Sequence, residues 1–159
     1  KEQISDLLGL KTIDLFPYQS KHLQKGANGR LLFTSDPDYC CYLNKVQPLE
    51  PVLAANDIWI TGVRADQSGT RKAMKEEAPA PMDTLRYHPM LNFDKHMIAR
   101  YITQNKLPRH PLEAKGYISI GCEPCTIKLS LDDFLDERKG RWGGMNKNEC
   151  GLHTELIKK

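Results

Sequence analysis

No stretch of the 159 residues approaches the roughly 18 consecutive apolar side chains that a helix needs to cross a bilayer. Residues 1–10 also lack the apolar segment of a secretory signal. Together these predict a protein with no membrane partner in a cytoplasmic setting. A large excess of one charge is missing as well. The 23 basic and 20 acidic side chains leave a formal charge of +3, too little to demand nucleic acid but enough for a local cluster around a small anion. No internal repeat breaks the chain into modules. Apolar residues at 40% and charged residues at 27% match an ordinary globular domain rather than a fibre or a disordered tail, and the length suits a single domain over 1–159.

Cysteine is present in an odd number, five. In a reducing compartment that argues against a disulfide framework and for metal binding or thiol chemistry.

Along the chain, residues 1–8 read as the end of a helix stopped by Gly9, which points to sequence missing upstream. Thr12 to Phe16 alternates like a short strand closed by Pro17. Tyr18 to Gln24 is expected to be helical, and Gly26 to Gly29 a turn. Ser35 to Asp38 caps a helix carrying Cys40 and Cys41, and Pro48 opens another with Leu49, Val52 and Leu53. Ile58, Trp59, Ile60 and Val63 are too apolar for a half-exposed edge and predict a buried strand. The polar segment Arg64 to Arg71 follows it directly, where α/β proteins bind ligands. Ala78 to Pro81 reads as a connector. Phe93, Met97, Tyr101 and Ile102 mark one face of a helix capped by Asn92 and ending before Pro108. From Pro111 onward the chain reads as loop, so the architecture is α/β with a long irregular C-terminal region.

Four of the cysteines form two tight pairs, Cys40-Cys41 and Cys122-Glu123-Pro124-Cys125. Four thiolates suit zinc or an iron-sulfur cluster. Adjacent cysteines give awkward angles around one tetrahedral ion, which favours a cluster with separate iron corners, while packed inert thiols remain the plain alternative. Cys150 is left over among polar residues. It is an incidental thiol or a nucleophile ionised by Arg138, Arg141, Lys147 or His153.

Five motifs occur in order: CC, TGVRADQSGTR, GYISIGCEPCT, DERKGRW and ECGLH. Together they closely resemble the adenylylsulfate and phosphoadenylylsulfate reductase family of assimilatory sulfate reduction, from Phe16-Pro17 to His153. The resemblance implies the C-terminal part of an adenine-nucleotide alpha hydrolase-like (PP-loop) doubly wound sheet, with residues 143–159 as a flexible catalytic tail. It implies that Cys150 takes sulfite from adenylylsulfate as an S-sulfocysteine that thioredoxin then reduces. It also implies that Cys40, Cys41, Cys122 and Cys125 hold a [4Fe-4S] cluster, a set that favours adenylylsulfate over phosphoadenylylsulfate.

By the same resemblance Lys45 links cluster and substrate, where the plain reading is a solvated helix lysine. Arg64, Gln67, Ser68 and Arg71 contact the phosphosulfate and nucleotide, where the plain reading is a surface loop. Arg138 and Arg141 approach the sulfate as the tail closes. His153 supports Cys150 or is simply solvated. The family's Ser-Gly-Gly-rich phosphate loop has no counterpart here, which predicts a partial domain. A noncatalytic metal- or nucleotide-binding fragment and a zinc-stapled interaction domain therefore stay open, as does a homo-oligomer.

Overall fold

The computed structural model describes residues 1–129, 138–143, 145, 147 and 149–154. Of the tail 143–159, residues 144, 146, 148 and 155–159 lie outside the described residues, as do Asp136 and Glu137 of DERKGRW.

Helix α1 (Glu2–Leu8) ends at Gly9, whose φ of 61° is the left-handed conformation glycine adopts without a Cβ clash. The expected strand at Thr12 to Phe16 does not form. That stretch has no backbone hydrogen-bond partner among the described residues, and Ile13 and Phe16 are exposed. Tyr18 to Gln24 is not helical either, but a set of turns held by Gln24 Nε2 donating to the Gln19 carbonyl. The turn at Gly26 to Gly29 is present, with Gly29 N donating to the Gly26 carbonyl.

A short α2 (Leu32–Ser35) leads into one continuous helical rod. It consists of α3 (Pro37–Cys41), a π-helical turn at Tyr42–Val46, and α4 (Gln47–Ala54). Asp36 caps its start by accepting from Tyr39 N at 3.0 Å, with Pro37 supplying the fixed φ of a first helical position. The wide turn has a local cause. Pro48 lacks an N–H and its ring would press on the Asn44 carbonyl four residues back, so the ladder opens there. Asn44 supports this stretch by donating to the Cys40 carbonyl at 2.8 Å and to Gln24 Oε1 at 2.6 Å.

The sheet has three strands in the order β1-β3-β2. Strands β1 (Ile58–Ile60) and β3 (Leu85–Tyr87) run parallel with Trp59 opposite Arg86, and β2 (Glu77–Pro79) pairs antiparallel with β3. The Ala78 to Pro81 segment is thus partly a strand. Its prolines sit where an edge tolerates a missing N–H. The expected burial of β1 also fails. It lies at the edge, with Ile58 55% and Ile60 65% exposed, because side chains alternate and only Trp59 faces the core. Between β1 and β3 the chain forms a 3₁₀ turn at Ala65–Gln67 and α5 (Gly69–Lys72), the elements that carry the polar motif. Helix α6 (Lys95–Gln104) is capped by Asp94, not Asn92, through a 2.7 Å bond from Met97 N. Beyond it the described chain is loop with two single 3₁₀ turns. No described helix is long and apolar enough to cross a membrane.

Two small apolar clusters hold these parts together. Val46 and Leu53 form one, covered by Tyr42, Leu49, Trp59 and Leu152; Cys125, Trp142 and Cys150 form the other, covered by Cys122, Met145 and Leu152. Leu152 belongs to both, so the C-terminal segment is part of the core. Leu53→Ala should cost about 2–3 kcal/mol, the lower part of the range for a buried leucine because the cluster is small enough to close over the gap. A lower urea midpoint at unchanged slope would show it; no shift would mean that the rod is not packed through Leu53.

Candidate active site

The cysteine pair reaches the C-terminal segment from the rod. Cys41 ends α3, and Lys45 follows four residues later on the same face, which brings its Nζ to 3.3 Å from Cys150 Sγ. Cys150 is buried, 8% exposed, among Cys125 and Trp142 rather than in solvent. Gly151 permits this approach, since a Cβ there would stand 3.3 Å from Cys41 Cβ.

The thiol environment is unequal. A hydrogen bond from the Cys41 thiol, assisted by the Lys45 ammonium and opposed by burial, draws the Cys150 pKa down to about 5. Cys41 is pushed upward by the same bond and by burial. Burial works against the charge on Lys45, but the nearby sulfur of Cys150, with those of Cys122 and Cys41, outweighs it and raises its pKa. Both shifts favour an ammonium on Lys45 and a thiolate on Cys150.

The second cysteine pair is shaped by its own turn. Cys122 precedes the 3₁₀ turn Glu123–Cys125; Cys125 N and Thr126 Oγ1 both donate to the Cys122 carbonyl at 2.9 Å. This turn pairs with the RKGRW segment, with Ile127 N donating to the Gly140 carbonyl and Trp142 N to the Cys125 carbonyl. Gly121 leaves room for Arg141, whose Nη2 would lie 2.1 Å from a Cβ at that position. Trp142 has φ 59°, a conformation that is uncommon for so large a residue. Its ring carries the guanidinium groups of Arg138 and Arg141 at 5.2 and 4.6 Å.

All five cysteines are free thiols. Burial raises the Cys40 pKa, and the fields of Cys125 and Cys122 add to it, while Lys21 and Lys45 offset part of the shift. Cys125 is raised by burial and by Cys122, against Lys45, Arg141 and Lys147. Three of the four paired cysteines thus share one electrostatic neighbourhood ringed by cations, with Cys41 turned toward Cys150. Among the described residues, no group of three His, Cys, Asp or Glu side chains is arranged to hold a single metal ion.

Five of the eight residues expected to bind substrate line two cavities, and Lys45, Arg71 and His153 line neither. Gln67, Ser68, Arg138 and Arg141 line one of about 500 Å³ together with Lys147. Arg64 lines another of about 470 Å³ with Lys95, Arg109 and His110, and pairs with Asp66 at 2.9 Å. Ser68 caps α5 by accepting from Arg71 N. Arg71 lines neither cavity among these residues. Its Nε and Nη2 donate to the two oxygens of Glu149, each at 2.8 Å, and its Nη1 bonds Gln67 Oε1. Arg138 Nη2 donates to the same carboxylate at 2.9 Å.

Glu149 was not singled out by sequence reasoning. It stands beside Cys150 in the ECGLH motif, but its partner Arg71 is 78 positions away, a distance that no local spacing rule bridges. Burial opposes its charge, yet the bonds from Arg71 and the Cys150 N–H hold its pKa below the usual carboxylate value.

Residues 2–128 match the phosphoadenosine phosphosulfate reductase domain. The chain belongs to that family. Among relatives, "Adenosine 5'-phosphosulfate reductase" of Oceanobacillus iheyensis is 39% identical over 82% of this chain and 54% of its own length. The protein of the same name from Bacillus mycoides is 38% identical over 92% of this chain and 62% of its own. The chain therefore spans between half and two thirds of the length of these relatives. The crystal structure of phosphoadenylyl-sulfate (PAPS) reductase from Candida auris, in a phosphate complex, matches with a TM-score of 0.52 at 27% identity, over 62% of this chain and 48% of that one. The PP-loop α/β fold implied by the motifs is thus the fold of this reductase-domain chain. The family match stops at residue 128, before Arg138, Arg141 and Cys150, so the clamp on Glu149 joins the matched domain to the segment that follows it.

His153 is part-buried, and its backbone N–H donates to the Cys150 carbonyl at 2.8 Å while its ring packs elsewhere. It stacks on Trp59 with ring centroids 6.4 Å apart and 11° between planes, and Arg86 covers Trp59 at 4.7 Å. Its buried Nδ1 has no hydrogen-bond partner among the described residues. Burial and the nearby Arg71 lower its pKa from 6.5 to about 4, against a small opposing pull from Glu149. The unfolded chain therefore takes the proton first as pH falls. Stability should decline from about pH 6.5 toward about pH 4 and then level off as far as this group is concerned. His153→Phe keeps the stack and removes the titration. Its thermal midpoint should fall less between pH 7 and pH 5 than that of the parent, with His88, whose pKa burial lowers in the same direction, unchanged in both. Equal slopes would show that His153 titrates as an exposed residue.

Proposed function

We propose that this reductase-domain chain is the catalytic C-terminal part of a thioredoxin-dependent adenylylsulfate reductase acting in the cytoplasm. The observation that carries this reading is the 3.3 Å contact between Lys45 Nζ and Cys150 Sγ, beside a cavity lined by Arg138 and Arg141. The names of the two Bacillales relatives favour adenylylsulfate over its 3'-phosphorylated form.

In this reading the Cys150 thiolate attacks the sulfur of adenylylsulfate. A sulfur-sulfur bond forms, the sulfur-oxygen bond to phosphate breaks, and the electron pair leaves on AMP. Thioredoxin then supplies two electrons from its thiols and frees sulfite, regenerating Cys150. Lys45 stabilises the attacking thiolate and the incoming sulfate. Arg141, with Arg138, faces the charge that builds on the sulfate and phosphate oxygens. Gln67 and Ser68 supply polar contacts on the opposite wall. Arg64 lines the second cavity, so it is assigned to a more remote part of the nucleotide or to neither. The tail closes the site by burying Cys150 and Leu152 together, which keeps water from the S-sulfocysteine.

Cys40, Cys41, Cys122 and Cys125 are the residues that would hold a [4Fe-4S] cluster. The donor set fits: these are four free thiols with cations around them. A cluster takes one thiolate at each of several separate irons, so its ligands need not converge on one point as zinc ligands must. Cys41 would exchange its bond to Cys150 for iron, leaving Lys45 as the partner of Cys150. When bound, the cluster supplies a fixed electrostatic and structural centre, while the electrons for the reaction come from thiols.

Two measurements test the reading. Protein purified without oxygen should contain about four irons and four acid-labile sulfides per chain; zinc alone would favour a stapled interaction domain. Cys150→Ser in the intact protein should abolish sulfite release from adenylylsulfate and leave the visible absorbance of the cluster unchanged. Loss of both together would mean that the five cysteines are wrongly divided between cluster and nucleophile.

A further inference from the structure

Glu149 has no part in the chemistry above, yet among the described residues it is a fully bonded carboxylate directly beside Cys150. Its side chain is 2% exposed. Arg71 grips both of its oxygens at 2.8 Å, Arg138 adds a bond at 2.9 Å, and the backbone N–H of Cys150 donates to Oε1 at 2.9 Å. Two guanidinium groups and the nucleophile's own amide therefore meet on one carboxylate.

We propose that Glu149 is a positioning residue: clamped by Arg71 and Arg138, it fixes the backbone at Cys150 and so sets where the Cys150 thiol stands against Lys45. The cysteine side chain has one rotatable bond, so once its amide is tied down, Sγ is confined to a small set of positions. The tether is itself anchored. The planar fork of Arg71 is engaged along its length, with Nη1 on Gln67 and its backbone N on Ser68 Oγ. Rooted in α5, Arg71 connects the TGVRADQSGTR motif to ECGLH and acts through Glu149 rather than as a direct substrate contact. The inference rests on reading Cys150 as the reacting thiol, but its test does not use turnover.

The test measures proximity. In the intact, anaerobically purified protein, difluorodinitrobenzene, whose two reactive carbons share one benzene ring, joins an amine to a thiol. Peptide mapping then gives the yield of the Lys45-Cys150 product. Glu149→Gln keeps the shape and removes the charge, and the yield in folded variant should drop about tenfold, the population change that corresponds to about 1.4 kcal/mol. A carboxylate that merely stabilised the fold would lower the thermal midpoint and leave the yield in folded protein unchanged, which would overturn the proposal. Should Glu149→Gln not fold, Arg71→Lys decides. It keeps the charge but loses the two-point grip, and the same drop is expected. Absence of sulfite release with a normal cross-linking result would sink the reductase reading alone.

Discussion

The carboxylate of Glu149 joins two segments that the chain keeps far apart, and the backbone N–H of Cys150 beside it is tied to that same junction. An ion pair at the surface contributes about 0–1 kcal/mol, whereas removing one partner of a buried pair costs roughly 3–5 kcal/mol because the other charge is left without compensation. Lys1 with Asp14 and Arg109 with Glu113 are half exposed and belong to the first kind, while Arg71 with Glu149 is buried at both ends and belongs to the second. The desolvation of three charges is offset only in the arrangement where every oxygen is bonded. The clamp therefore ties Glu149 to Arg71 and Arg138 in one geometry and adds little to overall stability.

Around the clamp, apolar contacts complete the closure. Leu152 packs into both small clusters, Gly151 lets the backbone touch Cys41, and His153 lies on Trp59. None of these contacts alone explains why Cys150 faces Lys45. Together they leave little freedom between Glu149 and His153. The π-helical turn contributes from the other side: Pro48 widens the rod immediately after Lys45, on the stretch whose side chains meet the tail. A constraint on backbone hydrogen bonding in the rod is thereby transmitted to the charge beside the thiol.

Trp142 has a comparable role for the arginines. Its unusual backbone conformation and its place between the CEPC turn and the tail let one ring support two guanidinium groups, with Gly121 vacating the space that Arg141 enters. The two cations would repel each other in the open. Here Glu149 takes a bond from Arg138, and Arg141 Nη1 reaches the Ile120 carbonyl at 3.4 Å.

Much of this chain is legible from local chemistry. The turn at Gly26 to Gly29, the helix capped within Ser35 to Asp38 that carries Cys40 and Cys41, the helix before Pro108 and the motifs that mark the reductase family all rest on short-range rules of capping, turn formation and motif order. They hold because those rules act within a few residues. The misreadings have a common origin as well. Whether Thr12 to Phe16 becomes a strand, whether β1 lies inside or at the edge, and whether Asn92 or Asp94 caps α6 depend on partners or on a two-residue shift that composition does not encode. The division of labour among the arginines lies further still from the sequence. Arg64, Arg71, Arg138 and Arg141 look alike in a motif, and only the folded chain sends Arg64 to a separate cavity, commits Arg71 to Glu149 and lays Arg141 on Trp142. Residue type determined what chemistry was available. The tertiary structure decided which charge meets which, because pairing between positions 71 and 149 is a matter of distance in space, and distance in sequence carries almost none of that information.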